Sequence, residues 1–235
     1  MKVILFLLIF FSASIISIFA QDKGKPDPER FKTDPEYRRQ WKDYEKRFDE
    51  VVAENKKIAE KNAKIKVLFD AGNLAFNEKD YAKAIAKYHG ILEISSYWAT
   101  NFTVHINRCI SHTTLGVRLY NEFVRKERKE LTTANHHFMA AVNDIDIVAR
   151  WVEQHRNTED PTNQKLIIDN EYKVLRQRGE SYRIYATTNP AIAATAIEMI
   201  NKYLELETNE ELRAAAYVHI QKLKSRSKIV GLGVP

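Results

Sequence analysis

Cysteine occurs once in 235 residues, glycine seven times and proline six times. One thiol excludes an intramolecular disulfide framework and any metal cage built from several cysteines, so packing must hold the fold. So little glycine and proline leaves few sites for tight turns or helix breaks, which argues for a helical chain. No sign of charge dominates: 37 Lys and Arg stand against 31 Asp and Glu, interleaved in stretches such as RRQWKDYEKRFDE and RKERKE. Such alternation reads as solvated helix faces and not as the concentrated basic stripe that a nucleic acid requires. Only Lys222, Lys224, Arg226 and Lys228 form an unbalanced basic run. The G-x-S-x-G, H-E-x-x-H and Walker phosphate-loop motifs are missing as well, so neither an enzyme nor a cofactor is expected. With 44% hydrophobic residues, however, the chain can bury a core.

Long apolar runs are confined to the N-terminus. MKVILFLLIFFSASIISIFA carries one Lys and an almost unbroken apolar stretch before the polar QDKGKPDPER, the layout of an export signal over residues 1–20. Cleavage is expected after Ala20, although Ile18 is larger than the residue usual three places from the end. The alternative is an anchor, since the 18 residues from Val3 to Ala20 just suffice to cross a bilayer. The protein is therefore expected outside the cytoplasm, periplasmic or secreted, or else tethered to a membrane by residues 3–20.

Residues 21–33 read as a flexible polar segment. TDPEYRRQ then supplies an N-cap at Asp34, Pro35 at the first helical position and Glu36 behind it, which opens a long helix over residues 34–64. Its stripe runs Tyr37, Trp41, Tyr44, Phe48, Val51, Asn55, Ile58, Asn62, Ile65, Phe69, alternating by four and three. This seven-residue repeat permits a homodimer through residues 37–69, with Asn55 and Asn62 fixing the register. The simpler expectation is that the helix packs along its own domain and leaves both Asn at a wet edge.

In IKVLFDAGNLAFNEKDYAKAIAKYHGILEIS, two amphipathic helices flank the short turn NEKD. Gly72 and Ala84 remove bulk where antiparallel helices cross, and Tyr81 and Tyr88 fill the space beside them. With Phe76, the Asp80-Tyr81 turn, Ile85 and Leu92, this stretch resembles a tetratricopeptide repeat, whose period is 34 residues. TNFTVHINRCISHTTLG resembles the first helix of a second unit, with Cys109 lying 37 residues beyond Gly72. VRLYNEFVRKERKE extends that helix, and its partner follows with the stripe Phe138, Ala141, Val142, Ile145, Val148, Ala149, Val152. NTEDPTN reads as a loop. A third unit carries Gly179 and Tyr182, the turn TTNP and an Ala-rich second helix. Thr208 and Glu211 are spaced as a capping box before a last helix through Leu212, Ala215, Ala216, His219 and Leu223. The resemblance implies an all-α, right-handed stack of about seven helices: three pairs over residues 65–226, a long helix before them, a capping helix after them and a flexible tail over 227–235.

His105, Cys109 and His112 share one helix face with metal-ligand chemistry, but three ligands on one straight helix cannot easily surround an ion. They are expected to pack inward instead, and no metal site is expected. His136 and His137 point about 100° apart. Asp144 and Asp146 also diverge, which rules out a paired acid and base and reads as solvated helix polarity. Asn101 heads an N-x-T glycosylation acceptor near a helix start. The resemblance implies a concave groove lined by the first helix of each unit. It nominates Phe69, Asn73 and Phe76, then Ile106, Asn107 and Ile110, then Lys173, Arg176 and Glu180. Asn73, Asn107 and Lys173 are of types that in some relatives grip a terminal carboxylate, although Phe69 stands where those relatives carry Lys. The other expectation is a mixed apolar and polar groove for an extended or helical segment. The expected function is non-catalytic protein binding, a scaffold or adaptor in envelope assembly or secretion. The alternatives are a membrane-anchored, coiled-coil assembly protein and a metal-dependent enzyme.

Overall fold

The computed structural model describes residues 24–95 and 97–229, and among these every regular element is helical. The leader expected over residues 1–20 lies outside the described residues. The chain divides into two compact units after Val67.

In the first unit the Asp-Pro dipeptide works twice. Asp27 caps α1 (Pro28–Thr33), its Oδ1 accepting from the amides of Glu29 and Arg30 at 3.0 and 3.1 Å. Asp34 opens α2 (Pro35–Asn77) in the same way, accepting from the amides of Glu36 and Tyr37 at 3.0 Å. Each proline takes a position whose amide would have no partner inside the helix, and each aspartate satisfies two donors that would otherwise be orphaned. Residues 28–33 are therefore helix and not a flexible segment. α2 runs for 43 residues, so the long helix and the first repeat helix, expected as separate elements, are one. Its heptad stripe is only partly packed: Tyr44, Val51 and Ile58 are 45%, 50% and 47% exposed, Tyr37, Trp41, Phe48 and Asn62 are half-buried, and Asn55 is exposed, as a wet-edge position would be. Tyr37, Trp41, Tyr44 and Phe48 form a ladder of ring contacts along the helix, with centroids 5.3 to 6.5 Å apart.

The second unit contains the last turns of α2, then α3 (Tyr81–Ile94), α4 (Trp98–Val124), α5 (Thr132–His155), α6 (Pro161–Tyr185), α7 (Ala193–Leu204) and α8 (Glu210–Ile229). A 3-10 turn, Pro190–Ile192, precedes α7. From α3 onward each helix packs on the next, and α4 also touches α6. The pairs run antiparallel: along α4, Arg108 meets Asp144 and then Gly116 meets Phe138, so α5 is traversed backwards. The expected α5 stripe is buried throughout, Ile145 and Val148 completely, and it packs with Phe102, Cys109, Ile167 and Val174 from α4 and α6. A second cluster joins Ala196, Ile200 and Leu204 of α7 to Ala216, Ile220 and Leu223 of α8.

Three helix pairs share one device, a glycine notch filled by a ring from the next helix. A Cβ added at Gly72 would stand 2.7 Å from the Tyr88 ring, one at Gly116 2.6 Å from Phe138, and one at Gly179 2.9 Å from Tyr203. These distances are far inside van der Waals contact, so only glycine allows the helices to approach so closely. In the middle pair the notch is at Gly116, two helical turns beyond Cys109, where the 37-residue spacing had put it. Other boundaries also moved. α4 stops at Val124, and α6 starts inside the expected loop because Asp160 accepts from the amides of Thr162 and Asn163 ahead of Pro161. Asn209, one place after Thr208, accepts from the amide of Leu212 at the start of α8. Ile220 is buried in α8, whereas Ala215 is exposed.

Candidate binding surface

α4 presents polar groups to three neighbouring helices. Arg108 donates from Nε to Asp144 Oδ2 at 2.8 Å and from Nη2 to Oδ1 at 2.5 Å. His105 Nδ1 lies 2.8 Å from Oδ1 of the same carboxylate. A carboxylate only accepts, so this His105 nitrogen carries the hydrogen. Arg108 Nη1 also reaches to 3.2 Å from His89 Nδ1 on α3, which ties α3, α4 and α5 into one network. Asp144 is 2% exposed. Burial alone would raise its pKa, but the hydrogen bonds from His105 and Arg108 outweigh burial and hold it below the usual carboxylate value.

Asp146 faces the other way. It accepts from Arg178 Nε and from the Tyr182 hydroxyl on α6, each at 2.7 Å. Burial, helped by that hydrogen bond, pushes the Tyr182 hydroxyl up to about 12. The two aspartates diverge as expected, but they are not solvated helix polarity: each clamps α5 to a neighbour. The sequence signal for Asp144 was its place between Ala141, Val142 and Ile145, Val148, because a charge inside a buried stripe must be paired.

The three residues with metal-like spacing meet different partners. His105 faces Asp144, Cys109 Sγ lies 3.4 Å from Ser181 Oγ on α6, and His112 Nδ1 lies 2.9 Å from His137 Nδ1. Among the described residues no group of three or more His, Cys, Asp or Glu is placed to hold an ion. Burial pushes the Cys109 thiol up to about 12, so it stays protonated at neutral pH. His136 is exposed while its neighbour His137 makes the ring pair.

The His112–His137 pair makes the second unit sensitive to acid. Burial lowers His112 to about 4, and burial with the nearby His136 lowers His137. With both rings neutral, one Nδ1 donates to the other, and two imidazolium rings would set hydrogen against hydrogen. Each group has a depressed folded pKa, so the unfolded chain takes up protons first as pH falls below its ordinary value near 6.5. Stability is therefore full above that pH and declines toward 4. Between pH 6.5 and 5 His112 is expected to cost about 2 kcal/mol at most, reduced by its partial exposure, and His137 acts in the same direction. Urea unfolding at a series of pH values should show a shallower decline for His112→Gln; an unchanged slope would count against the buried neutral pair.

The nominated groove residues do not share one setting. Phe69 is 8% exposed and packs its ring on Tyr88, and Phe76 meets Tyr81 edge-on at 5.4 Å. Both fill the first hairpin. Ile106 is half-buried against the central cluster, and Ile110 is half-buried. Asn73 and Asn107 come together at one hydroxyl: Tyr88 donates to Asn73 Oδ1 at 2.7 Å and is itself hydrogen-bonded by the Asn107 side chain. Lys173 and Arg176 are exposed on α6, and Glu180 pairs with Arg183. Asn101, half-buried in α4, donates from Nδ2 to the Ser95 carbonyl at 3.3 Å. No helix among the described residues is long and apolar enough to cross a membrane. No family model, curated protein or solved structure matches the chain.

Proposed function

We propose that the protein is a non-catalytic scaffold acting outside the cytoplasm, whose second unit is a tetratricopeptide-like array that binds a segment of a protein partner. The array reading is supported by the recurring glycine notch and by the side-by-side contact of α4 and α6, the first helices of successive pairs, through Cys109, Gln177 and Ser181. Hairpins that bury their apolar sides only against neighbours form such stacks. Export is supported by the leader-like residues 1–20.

The observation that carries the binding reading is the set of polar groups that the first helices leave at least partly open. Asn73 and Asn107 flank the Tyr88 hydroxyl, and Lys173 and Arg176 are exposed on α6. Carboxamides and cations of this kind suit an extended or helical segment bearing acidic groups between apolar anchors. Lys173→Glu combined with Arg176→Glu reverses two exposed charges, and it also removes the hydrogen bond between Arg176 and Tyr172, so unchanged helical circular dichroism must accompany the result. The double variant is expected to reduce crosslinked recovery of specific partners from the envelope or secreted fraction by about fivefold or more. Equal recovery of the same partners would overturn the groove, and a chain that fractionates wholly with the cytoplasm would overturn export.

A further inference from the structure

The open stripe of α2 lies outside that reading and does not depend on it. Written as heptads, the d positions are Tyr37, Tyr44, Val51 and Ile58, and the a positions are Trp41, Phe48, Asn55 and Asn62. Ile65 and Phe69 are only 6% and 8% exposed, so the open seam ends at Asn62 and is shorter than residues 37–69. At 1.5 Å per residue it is about 39 Å long.

Tyr44, Val51, Val52 and Ile58 each leave between 45% and 50% of their surface open. Tyr37 and Trp41 are half-covered by the chain's own Asp27, Arg30 and Gly24; covering what remains of them with those four removes on the order of 500 Å² from each copy, or about 1,000 Å² for a pair, near the minimum for a specific interface. Asn55 and Asn62 select the occupant. Against an aliphatic residue each carboxamide would be left unpaired in a dry seam, and an antiparallel copy brings a residues opposite d residues, which produces that mismatch. A parallel copy in the same register sets each Asn against its own twin, where one amide donates and the other accepts. Such self-complementarity is what a two-fold symmetric interface requires.

We propose that two copies of this chain pair through residues 37–62 as a parallel, in-register coiled coil with Asn55 and Asn62 each facing its twin.

The test uses the full chain. Sedimentation across micromolar concentrations is expected to show a dimer, and Val51→Glu with Ile58→Glu is expected to weaken it by about a hundredfold or more. The helical circular dichroism of that variant should stay near wild type, because both positions are half exposed. Native Cys109 is buried, so an introduced thiol reports on the seam: Asn55→Cys should form an intermolecular disulfide under mild oxidation much faster than Lys56→Cys on the outer face. A chain that stays monomeric throughout the micromolar range overturns the pairing, as does a dimer that survives both glutamates. Equal oxidation of the two cysteine variants overturns the parallel register. A monomer whose stripe crosslinks to residues 1–23 assigns this face to the chain's own leader, and so overturns the proposal too.

Discussion

Asp144→Ala is expected to be among the costliest single substitutions in the second unit, lowering the free energy of unfolding by about 3–5 kcal/mol. The reason is what it leaves behind. Arg108 and His105 have side chains only 17% and 10% exposed, and without the carboxylate their donors point into a space too enclosed for full hydration. For a unit of this size, thermal unfolding should shift down by roughly 10 °C. Removing the whole network at once has a different expected result. Asp144→Leu with Arg108→Met and His105→Leu eliminates the stranded charge together with its partner, and buried ion pairs replaced in this way are often neutral within about 2 kcal/mol. A single substitution that costs less than about 1 kcal/mol would mean that water reaches the site and the network is not buried. Asp146→Ala is expected to cost less than Asp144→Ala, because water already reaches its carboxylate, 21% exposed against 2% for Asp144.

The parts of this fold that were legible in the sequence are those governed by local rules. The Asp34-Pro35 helix start, the NEKD turn ahead of Tyr81 and the apolar stripe of α5 each depend on residues within a turn or two of one another. The short helix α1 obeyed the same rule, since DPER repeats DPEY. What could not be read was set by distant partners. Counting 37 residues from Gly72, about one repeat period, arrives at Cys109, but the notch falls at Gly116 because the connection after Val124 is long and the ring that fills the notch, Phe138, arrives late. The candidate surface shows the same division. The residue types of Asn73 and Asn107 were visible, whereas their convergence on Tyr88 depends on how three helices cross. Phe69 and Phe76 have groove-like chemistry in sequence, but the hairpin needs them to cover Tyr88 and Tyr81.

The glycine notches lead to a prediction opposite to ordinary helix propensity. Replacing glycine by alanine inside a helix normally stabilises by about 0.5–1 kcal/mol. Gly90 should behave in this way, because the nearest atom to an added Cβ is Leu68 Cδ1 at 3.6 Å, an ordinary contact. Gly116→Ala should do the reverse and cost about 2 kcal/mol, since the new methyl would lie 2.6 and 2.7 Å from two atoms of the Phe138 ring and the helices must separate to admit it. The ring is the obstacle, so shrinking it should restore much of the loss. Phe138→Leu alone leaves a void, yet in combination with Gly116→Ala the methyl occupies part of that void. The double variant should therefore be more stable than the sum of the two single changes by about 1–2 kcal/mol. Gly179 differs in one respect: an added Cβ there also comes within 3.3 Å of the Met199 carbonyl oxygen, which belongs to the backbone. Tyr203→Leu should accordingly rescue Gly179→Ala less completely than Phe138→Leu rescues Gly116→Ala. Urea unfolding of the single and double variants measures both couplings, and additive effects at the Gly116 pair would show that the ring does not set the distance between α4 and α5.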